Sequence, residues 1–285
     1  MANSSKIPIR SRHLATTHST NSQLIDEILA SVKNGETDKN PPHFSQPFLL
    51  TADSQTNGRG QHGRQWQSPL GNVSLSLYIP TRAFADDNTI CLAQQLDGRL
   101  SLCVGYQLKQ LPQLADINKI GVKWVNDLGF YEANQFNKLA GILIEPVTLE
   151  NQLLGVVIGL GMNINSAPSL NPQTKTNLNY KAVSLQELVG GNLHPQDYYA
   201  PISQAILQAI GQFNDFNDPS NMAEFLQSFH QVDSLWGKNL QITLPNNDRI
   251  FGTAHGIDTN GCLQILHASG TMQAIWTGTN HSHRF

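Results

Sequence analysis

The amino-acid sequence predicts an α+β protein in two parts, a larger domain spanning residues 1–235 and a small β-domain spanning residues 236–285. Three observations lead there. Between Gly121 and Asn165 the β-rich segments GVKWVND, KLAGILIEPV and QLLGVVIGLGMNIN are separated by short turn-forming stretches, which suit hairpins better than crossover helices. The helical patterns that follow, between Val183 and Trp236, are grouped together rather than interleaved with the strands, as in α+β chains. After Trp236 the segments KNLQITLP, RIFGTAHGID, CLQILHA and TMQAIWTG read as four short strands. NND, TNG and ASG are the tight turns between them, so this part should form a little antiparallel barrel.

Taken in order, residues 1–18 are a short lead-in with room for one strand. STNSQLIDEILASVKNG predicts a helix, with Thr20 and Gln23 as a capping box, Leu24, Ile25, Ile28, Leu29 and Val32 as the buried stripe, and Gly35 as the stop. The polar, Pro-rich NGETDKNPPHFSQP is a loop. PFLLTAD is a strand, and NVSLSLYIP, in which Val73, Leu75, Leu77 and Ile79 alternate with Asn72, Ser74, Ser76 and Tyr78, is a half-buried one. Between Asn88 and Leu111 the residues Leu92, Leu96, Leu100, Val104 and Leu108 recur every four positions, predicting a long helix laid on the sheet. VSLQELVG is a short helix with Ser184 and Glu187 as a second capping box, and two longer helices occupy Tyr198–Phe216 and Ser220–Trp236.

Composition narrows the function. Hydrophobic residues make up 39% of the 285, enough for a substantial core. The 18 Lys and Arg against 21 Asp and Glu leave a net charge of −3, which argues against bulk attraction to nucleic acid or anionic membranes. Cys91, Cys103 and Cys262 are odd in number and form no C-x-x-C pair, the pattern of incidental thiols in a reducing compartment. The first twenty residues lack a signal-peptide core, and no apolar run reaches the roughly 18 residues of a membrane span. A soluble cytoplasmic protein is expected.

The stretch TNGRGQHGRQW is where a local basic site would lie. Gly58, Gly60 and Gly63 let backbone N–H groups approach a ligand, while Arg59 and Arg64 offer permanently charged donors to a phosphate or carboxylate. The same residues would also serve as a solvated hairpin tip. A second cluster places Lys123, Asn126 and Asp127 at one strand end and Lys138 at the opening of the next. The Asn-Asp pair is either a turn or an acceptor for a metal ion or an amine, and Lys138 is either a partnered charge or one that snorkels to the surface. In the third, Gly155, Gly159 and Gly161 interrupt an otherwise buried strand, marking close approach of a ligand or another backbone, or else tight sheet packing. Asn163 at its end could donate to a phosphate.

In order, Ser19-Thr20-Asn21, Gly58-Arg59-Gly60 with Gly63-Arg64 and Trp66, Lys123-Trp124 with Asn126-Asp127-Leu128, Lys138 through Glu145 as KLAGILIE, and Gly161-Met162-Asn163 resemble the biotin protein ligases, over about residues 10–285. Each motif is moderately specific alone; five in this order are not a chance pattern. The resemblance implies a catalytic core like that of class II aminoacyl-tRNA synthetases, a mixed β-sheet with helices, followed by an SH3-like barrel. It implies an enzyme that activates biotin with ATP as biotinyl-5′-adenylate, with Mg²⁺, and transfers biotin to one lysine of the biotin carboxyl carrier domain of acetyl-CoA carboxylase.

Carried onto this chain, Ser19, Thr20, Asn21 and Gln55 would line the biotin site, together with Arg59, Gly60, Gln61, Lys138 and Gly141. Lys123, Asn126, Arg64, Trp66 and Asn163 would form the nucleotide side. Arg59, Lys123 and Lys138 would offset the charge of the two reacting anions, and Asp127 would orient the acceptor lysine or hold the metal.

The chain departs from the family pattern twice. Gln61 stands where the glycine-rich loop often has an arginine that retains the adenylate, so a leakier intermediate is expected. Val125 replaces the usual proline, a backbone change of small expected effect. The position of Ser19 leaves no room for the helix-turn-helix domain of the family's repressors, so no operator-binding role is expected. A homodimer joined at a sheet edge is what the resemblance suggests. Competing readings are a lipoate or octanoyl transferase of the same core fold, a non-catalytic binding protein, and a metal site at the terminal His281-Ser282-His283. The few basic residues of the last strands, such as Lys238 and Arg249, argue against nucleic acid.

Overall fold

The computed structural model of the chain describes residues 9–34, 44–81, 90–168 and 180–282, with side chains as far as 278. Gly35 as a helix stop, most of the Pro-rich loop, His283 and the side chain of His281 lie outside what it describes.

The larger sheet is mixed. Its strands are β1 (Arg10–Thr17), β2 (Phe48–Gln55), β3 (Val73–Pro80), β4 (Gly121–Lys123), β5 (Asp127–Glu132), β6 (Gln135–Leu149), β7 (Gln152–Met162) and β8 (Tyr180–Ala182). They lie in the order β1-β2-β3-β7-β6-β5-β4. The β1–β2 pair is parallel, and β4, β5, β6 and β7 form the expected antiparallel run. β8 pairs in parallel with the first residues of β6, which β7 does not reach. The strand β5 was not anticipated, because Gly129 and the short Ala133-Asn134 turn hide a hairpin of only six residues on one arm.

Helix α1 (Thr20–Lys33) covers one face of this sheet, where Leu24 and Ile28 pack with Leu50, Tyr78 and Val157. The opposite face carries α2 (Arg99–Lys109) and, after the short α3 (Pro112–Ala115) and α4 (Leu185–Val189), the long α5 (Gln196–Asn214) and α6 (Pro219–His230). This covering corrects one expectation. β3 is buried on both faces: Val73, Leu75, Leu77 and Ile79 face α2 and α5, and Ser74, Ser76 and Tyr78 are equally buried on the α1 side. Alternation of apolar and polar residues marks two faces but not which of them meets water.

Three helix boundaries also differ from the sequence reading: α6 ends at His230 rather than Trp236, which leaves residues 231–236 in the segment leading to β9. α2 begins at Arg99, so Leu92 and Leu96 lie in a preceding irregular segment, and Gly98 occupies the N-cap. In α1 the cap is Ser19, whose Oγ accepts from the Ser22 N–H, while the Thr20 hydroxyl is engaged with Gln55 and Ser76. The second capping box is present as expected, with Ser184 Oγ accepting from the Glu187 N–H at 3.3 Å.

The smaller sheet is antiparallel, β12-β11-β10-β9-β13, with β9 (Asn239–Thr243), β10 (Arg249–Ile257), β11 (Leu263–Leu266), β12 (Met272–Ile275) and β13 (Thr279–Ser282). The fifth strand pairs with β9 and was not anticipated in the sequence. Asn247, Gly261 and Gly270 take positive φ in the three predicted turns, which is why those turns carry Asn and Gly. Leu240, Ile242, Leu263 and Ile265 belong to the same buried cluster as the α2–α5 side of the large sheet. The Trp124 indole N–H donates to the Gly261 carbonyl at 2.9 Å across the junction.

Candidate active site

The α1 face of the large sheet has an open stretch beyond the N-terminus of α1, and its floor is made of glycines. Gly141 on β6 is the cross-strand partner of Gly161 on β7. A Cβ at Gly161 would lie 2.3 Å from the Trp66 indole, and one at Gly159 would lie 2.1 Å from the Asn21 Oδ1. The interior glycines therefore do mark close approach: Gly159 and Gly161 by the protein's own Asn21 and Trp66 side chains, and Gly155 by the Ile79 backbone, whose carbonyl oxygen a Cβ would meet at 2.4 Å.

Trp66 is set on that floor by the glycine-rich loop. The loop is a small hairpin: the Trp66 N–H donates to the Gly58 carbonyl, Arg59 bridges Gln65, and Gly60 N–H donates to the Arg64 carbonyl. Gly58 cannot carry a side chain, since a Cβ there would meet the Trp66 carbonyl oxygen at 2.4 Å. At the tip, Gln61–Gly63 form one turn of 3₁₀-helix in which His62 takes a left-handed conformation, φ 56°.

One end of the cleft is polar, with its only charges among the described residues, Arg59 and Glu145, paired with each other. Gln55 Oε1 accepts from the Thr20 N–H at 2.8 Å and from its hydroxyl at 3.2 Å, and Gln55 Nε2 donates to Ser68 Oγ. Ser76 Oγ, fully buried, contacts Thr20 Oγ1 and Asn21 Oδ1. Ser19, Thr20 and Asn21 are all buried here in the first turn of α1. Asn21 Nδ2 donates to Glu145 Oε2 at 2.8 Å, and the same oxygen accepts from Arg59 Nη2 at 2.5 Å.

The other end is charged. Lys138 Nζ lies 2.7 Å from Asp127 Oδ1, with both side chains mostly buried. By simple alternation Lys138 would face away from Gly141. It faces the cleft because β6 carries an extra residue between Lys138 and Ala140 where it pairs with Leu128 and Gly129. Such a bulge re-aims a side chain without ending the strand. Leu139 is turned into the core, and Lys138 comes to lie beside the Trp66 and Tyr180 rings, 5.4 and 5.3 Å from their centroids.

Ser19, Thr20, Asn21, Gln55, Arg59, Gly60, Gln61, Arg64, Trp66, Asn126, Asp127, Lys138 and Gly141 thus line one cleft, as the sequence reading requires. Leu143, Leu160 and Tyr180 add apolar wall. Lys123 opens instead into an adjoining groove, which shares Gln61, Arg64, Asn126 and Asp127 with the cleft and is bounded on the far side by Trp276. Burial pushes the Lys123 ammonium down to about 8, an effect partly offset by Asp127 and reinforced by Lys138 and Arg64. Its Nζ stands 4.6 Å from the centre of the Phe136 ring.

Asn163 is not brought to the cleft. It is buried, its Nδ2 donating to the Val183 carbonyl and its N–H to that of Leu139, so it ties the end of β7 to the bulge. Asp127 is the only carboxylate lining the cleft among the described residues, and it is already paired with Lys138. That charge environment does not fit a resident divalent cation.

Sequence reasoning missed Ser76, Tyr180 and the pairing of Glu145 with Arg59 and Asn21. The polar phase of β3 was a signal for Ser76, and Glu145 ended a recognised motif without a role. Nothing local marked Tyr180, which reaches the cleft through the parallel pairing of β8.

Comparison with known proteins is consistent with this arrangement. Residues 32–163 match the Biotin/lipoate A/B protein ligase family. The chain is 27% identical over 266 residues to the bifunctional ligase/repressor BirA of Escherichia coli, covering 91% of this chain and 70% of that protein. It is 27% identical over 225 residues to the biotin–[acetyl-CoA-carboxylase] ligase of Mycobacterium tuberculosis, covering 76% and 73%. In fold it is similar to the biotin protein ligase of Aquifex aeolicus in complex with biotin and ATP, with a TM-score of 0.66, 20% identity, and coverage of 97% of this chain and 99% of that one.

Proposed function

Because the chain belongs to the biotin protein ligase family and is a biotin–[acetyl-CoA-carboxylase] ligase, activating biotin with ATP and passing it to the carrier protein, we propose the following use of its cleft. The polar end, Ser19, Thr20 and Gln55 beside the Trp66 and Asn21 side chains that cover the glycine floor, takes the bicyclic ring of biotin. Its ureido group offers N–H donors and a carbonyl acceptor, and Thr20 and Gln55 orient one another to meet both. The biotin carboxylate then lies toward Lys138.

In the first step a carboxylate oxygen attacks the α-phosphorus of ATP and pyrophosphate leaves. Two anions must meet, and Lys138, with Lys123 and Arg64 in the adjoining groove, supplies positive charge where negative charge accumulates. In the second step the acceptor lysine amine attacks the acyl carbon, AMP leaves, and the amine loses a proton. Asp127, at the seam of cleft and groove, would hold the incoming ammonium as it displaces Lys138 and take the proton that the ammonium sheds before the amine attacks. Magnesium belongs to this reading as part of the nucleotide substrate, and no step here runs through a protein-held metal. Residues 1–235 would carry this chemistry and residues 236–285 the far wall of the groove.

The single observation that carries the reading is the bulge in β6, which turns Lys138 into the cleft that already holds the polar ring site. Incubation of the purified protein with ATP, biotin and a biotin carrier domain should place one biotin on one carrier lysine, with release of AMP and pyrophosphate. Lipoate supplied in parallel should not be transferred; its transfer at a comparable rate would favour the lipoate reading instead. The proposal includes a ligase without an operator-binding role and a sheet-edge homodimer. The net charge of −3 supports the former. A specific mobility shift of a biotin-operon promoter fragment, or a monomeric mass by light scattering, would respectively overturn these two points.

A further inference from the structure

Glu145 has no place in the chemistry just described, and its position is unexpected. It is an acid at the edge of a cleft whose substrates are anions. One carboxylate oxygen takes both the Arg59 guanidinium and the Asn21 amide. Asn21 is held from behind: its Nδ2 also reaches the Leu143 carbonyl, its Oδ1 contacts Ser76 Oγ, and its side chain presses on Gly159. An unbroken polar path therefore runs from buried Ser76 through Asn21 and Glu145 to the glycine-rich loop.

The path also locates the charge of Arg59. Glu145 is seven residues beyond Lys138 on β6; the Lys138 Nζ reaches to within 3.2 Å of where a Gly141 Cβ would lie, which leaves four residues, roughly 13 Å along the strand, between the ammonium and Glu145. While Glu145 holds it, the Arg59 guanidinium is at the ring end of the cleft and not at the end where carboxylate and phosphate meet. The role expected for Arg59 from the sequence, neutralising the reacting acids, would require it to leave this partner.

Resting on the ligase reading above, we propose that Glu145 is a positioning residue for biotin, clamping the Arg59 arm of the loop to the first turn of α1 and so setting the width of the ring end of the cleft. Arg59 is then a strut, and the cations at the reacting end are Lys138, Lys123 and Arg64.

Three variants test this: Glu145→Gln, Arg59→Glu, and the two-site charge swap Arg59→Glu with Glu145→Arg. Biotin affinity is measured by calorimetry without ATP, adenylate formation by pyrophosphate exchange, and folding by melting temperature. Glu145→Gln should raise Kd and KM for biotin about three- to tenfold, with kcat and the KM for ATP changed less than twofold. The swap should recover most of the affinity that Arg59→Glu loses. Biotin affinity equal to the parent's in Glu145→Gln, at an unchanged melting temperature, would overturn the proposal. So would a swap that binds no better than Arg59→Glu, or a Glu145→Gln defect confined to kcat. An unaltered protein that binds biotin but forms no adenylate would instead overturn the ligase reading, while the calorimetric comparison still decides the clamp.

Discussion

Asp127 and Lys138 face each other at 2.7 Å because β6 takes one residue more than β5 between them. The pair is mostly buried, so each charge depends on the other until substrate arrives. On the proposed reading, replacing Lys138 by glutamine removes the positive charge at the point where two acids react. Pyrophosphate exchange should then fall by about 100-fold or more, while biotin affinity, set at the other end of the cleft, changes far less. An exchange rate within threefold of the parent would show that Lys138 is not the stabilising cation.

The glycine floor gives a steric prediction with an internal control. Gly161→Ala puts a methyl group 2.3 Å from the Trp66 indole, backed by a paired strand that cannot yield. It should cost about 1–3 kcal/mol of stability and shift tryptophan fluorescence. Gly211→Ala, within α5 and with nothing near its would-be Cβ, should stabilise by about 0.5–1 kcal/mol. Urea unfolding of the two variants checks both signs.

Asp233, in the segment that leads from α6 to β9, is held up at about 6 by burial, against which the backbone N–H of Leu235 and Trp236 act only in part. The carboxyl of the unfolded chain ionises near 3.9. The unfolded state therefore releases its proton first, and folding loses stability as pH rises from about 4 to about 6, with the deficit constant above that. Asp233→Asn keeps an oxygen for the Leu235 N–H, bonded at 2.8 Å in the parent. Its melting temperature should exceed the parent's at pH 7–8, and the gap should close by about pH 4. A gap that widens on acidification would reverse the assignment.

Gln61 lines both the cleft and the groove, at the tip of the loop where the resemblance leads one to expect arginine. A neutral amide there holds an adenylate phosphate less firmly than a guanidinium. Gln61→Arg should slow escape of biotinyl-adenylate by about tenfold, equivalent to about 1.4 kcal/mol. In single-turnover experiments without acceptor, the parent should release free adenylate that the variant retains. Negligible release from both proteins would remove any consequence of this substitution.

Much of the fold was legible in the sequence because its signals are local. The stripe of α1, the antiparallel run from Gly121, the helices α5 and α6 and the three tight turns of the small sheet follow from periodicity and from residues that tolerate positive φ. β3 was found, yet its exposure was misjudged, since only the packing of α1 shows that its polar face is buried. α2 was drawn too long because leucines at four-residue intervals also suit an irregular segment that folds back on the core.

The site divides in the same way. The sequence marked the candidates: two arginines and three glycines in one loop, two lysines and one aspartate around a hairpin, and glycines in a buried strand. Tertiary structure decided where their charges go. A single extra residue in β6 turns Lys138 to the cleft, Glu145 holds Arg59 at the ring end, and burial of Asn163 takes it out of the lining. The physical reason is that residue type sets what a side chain can do, whereas strand register and the partners met across the sheet set its direction, and those depend on residues distant in the chain.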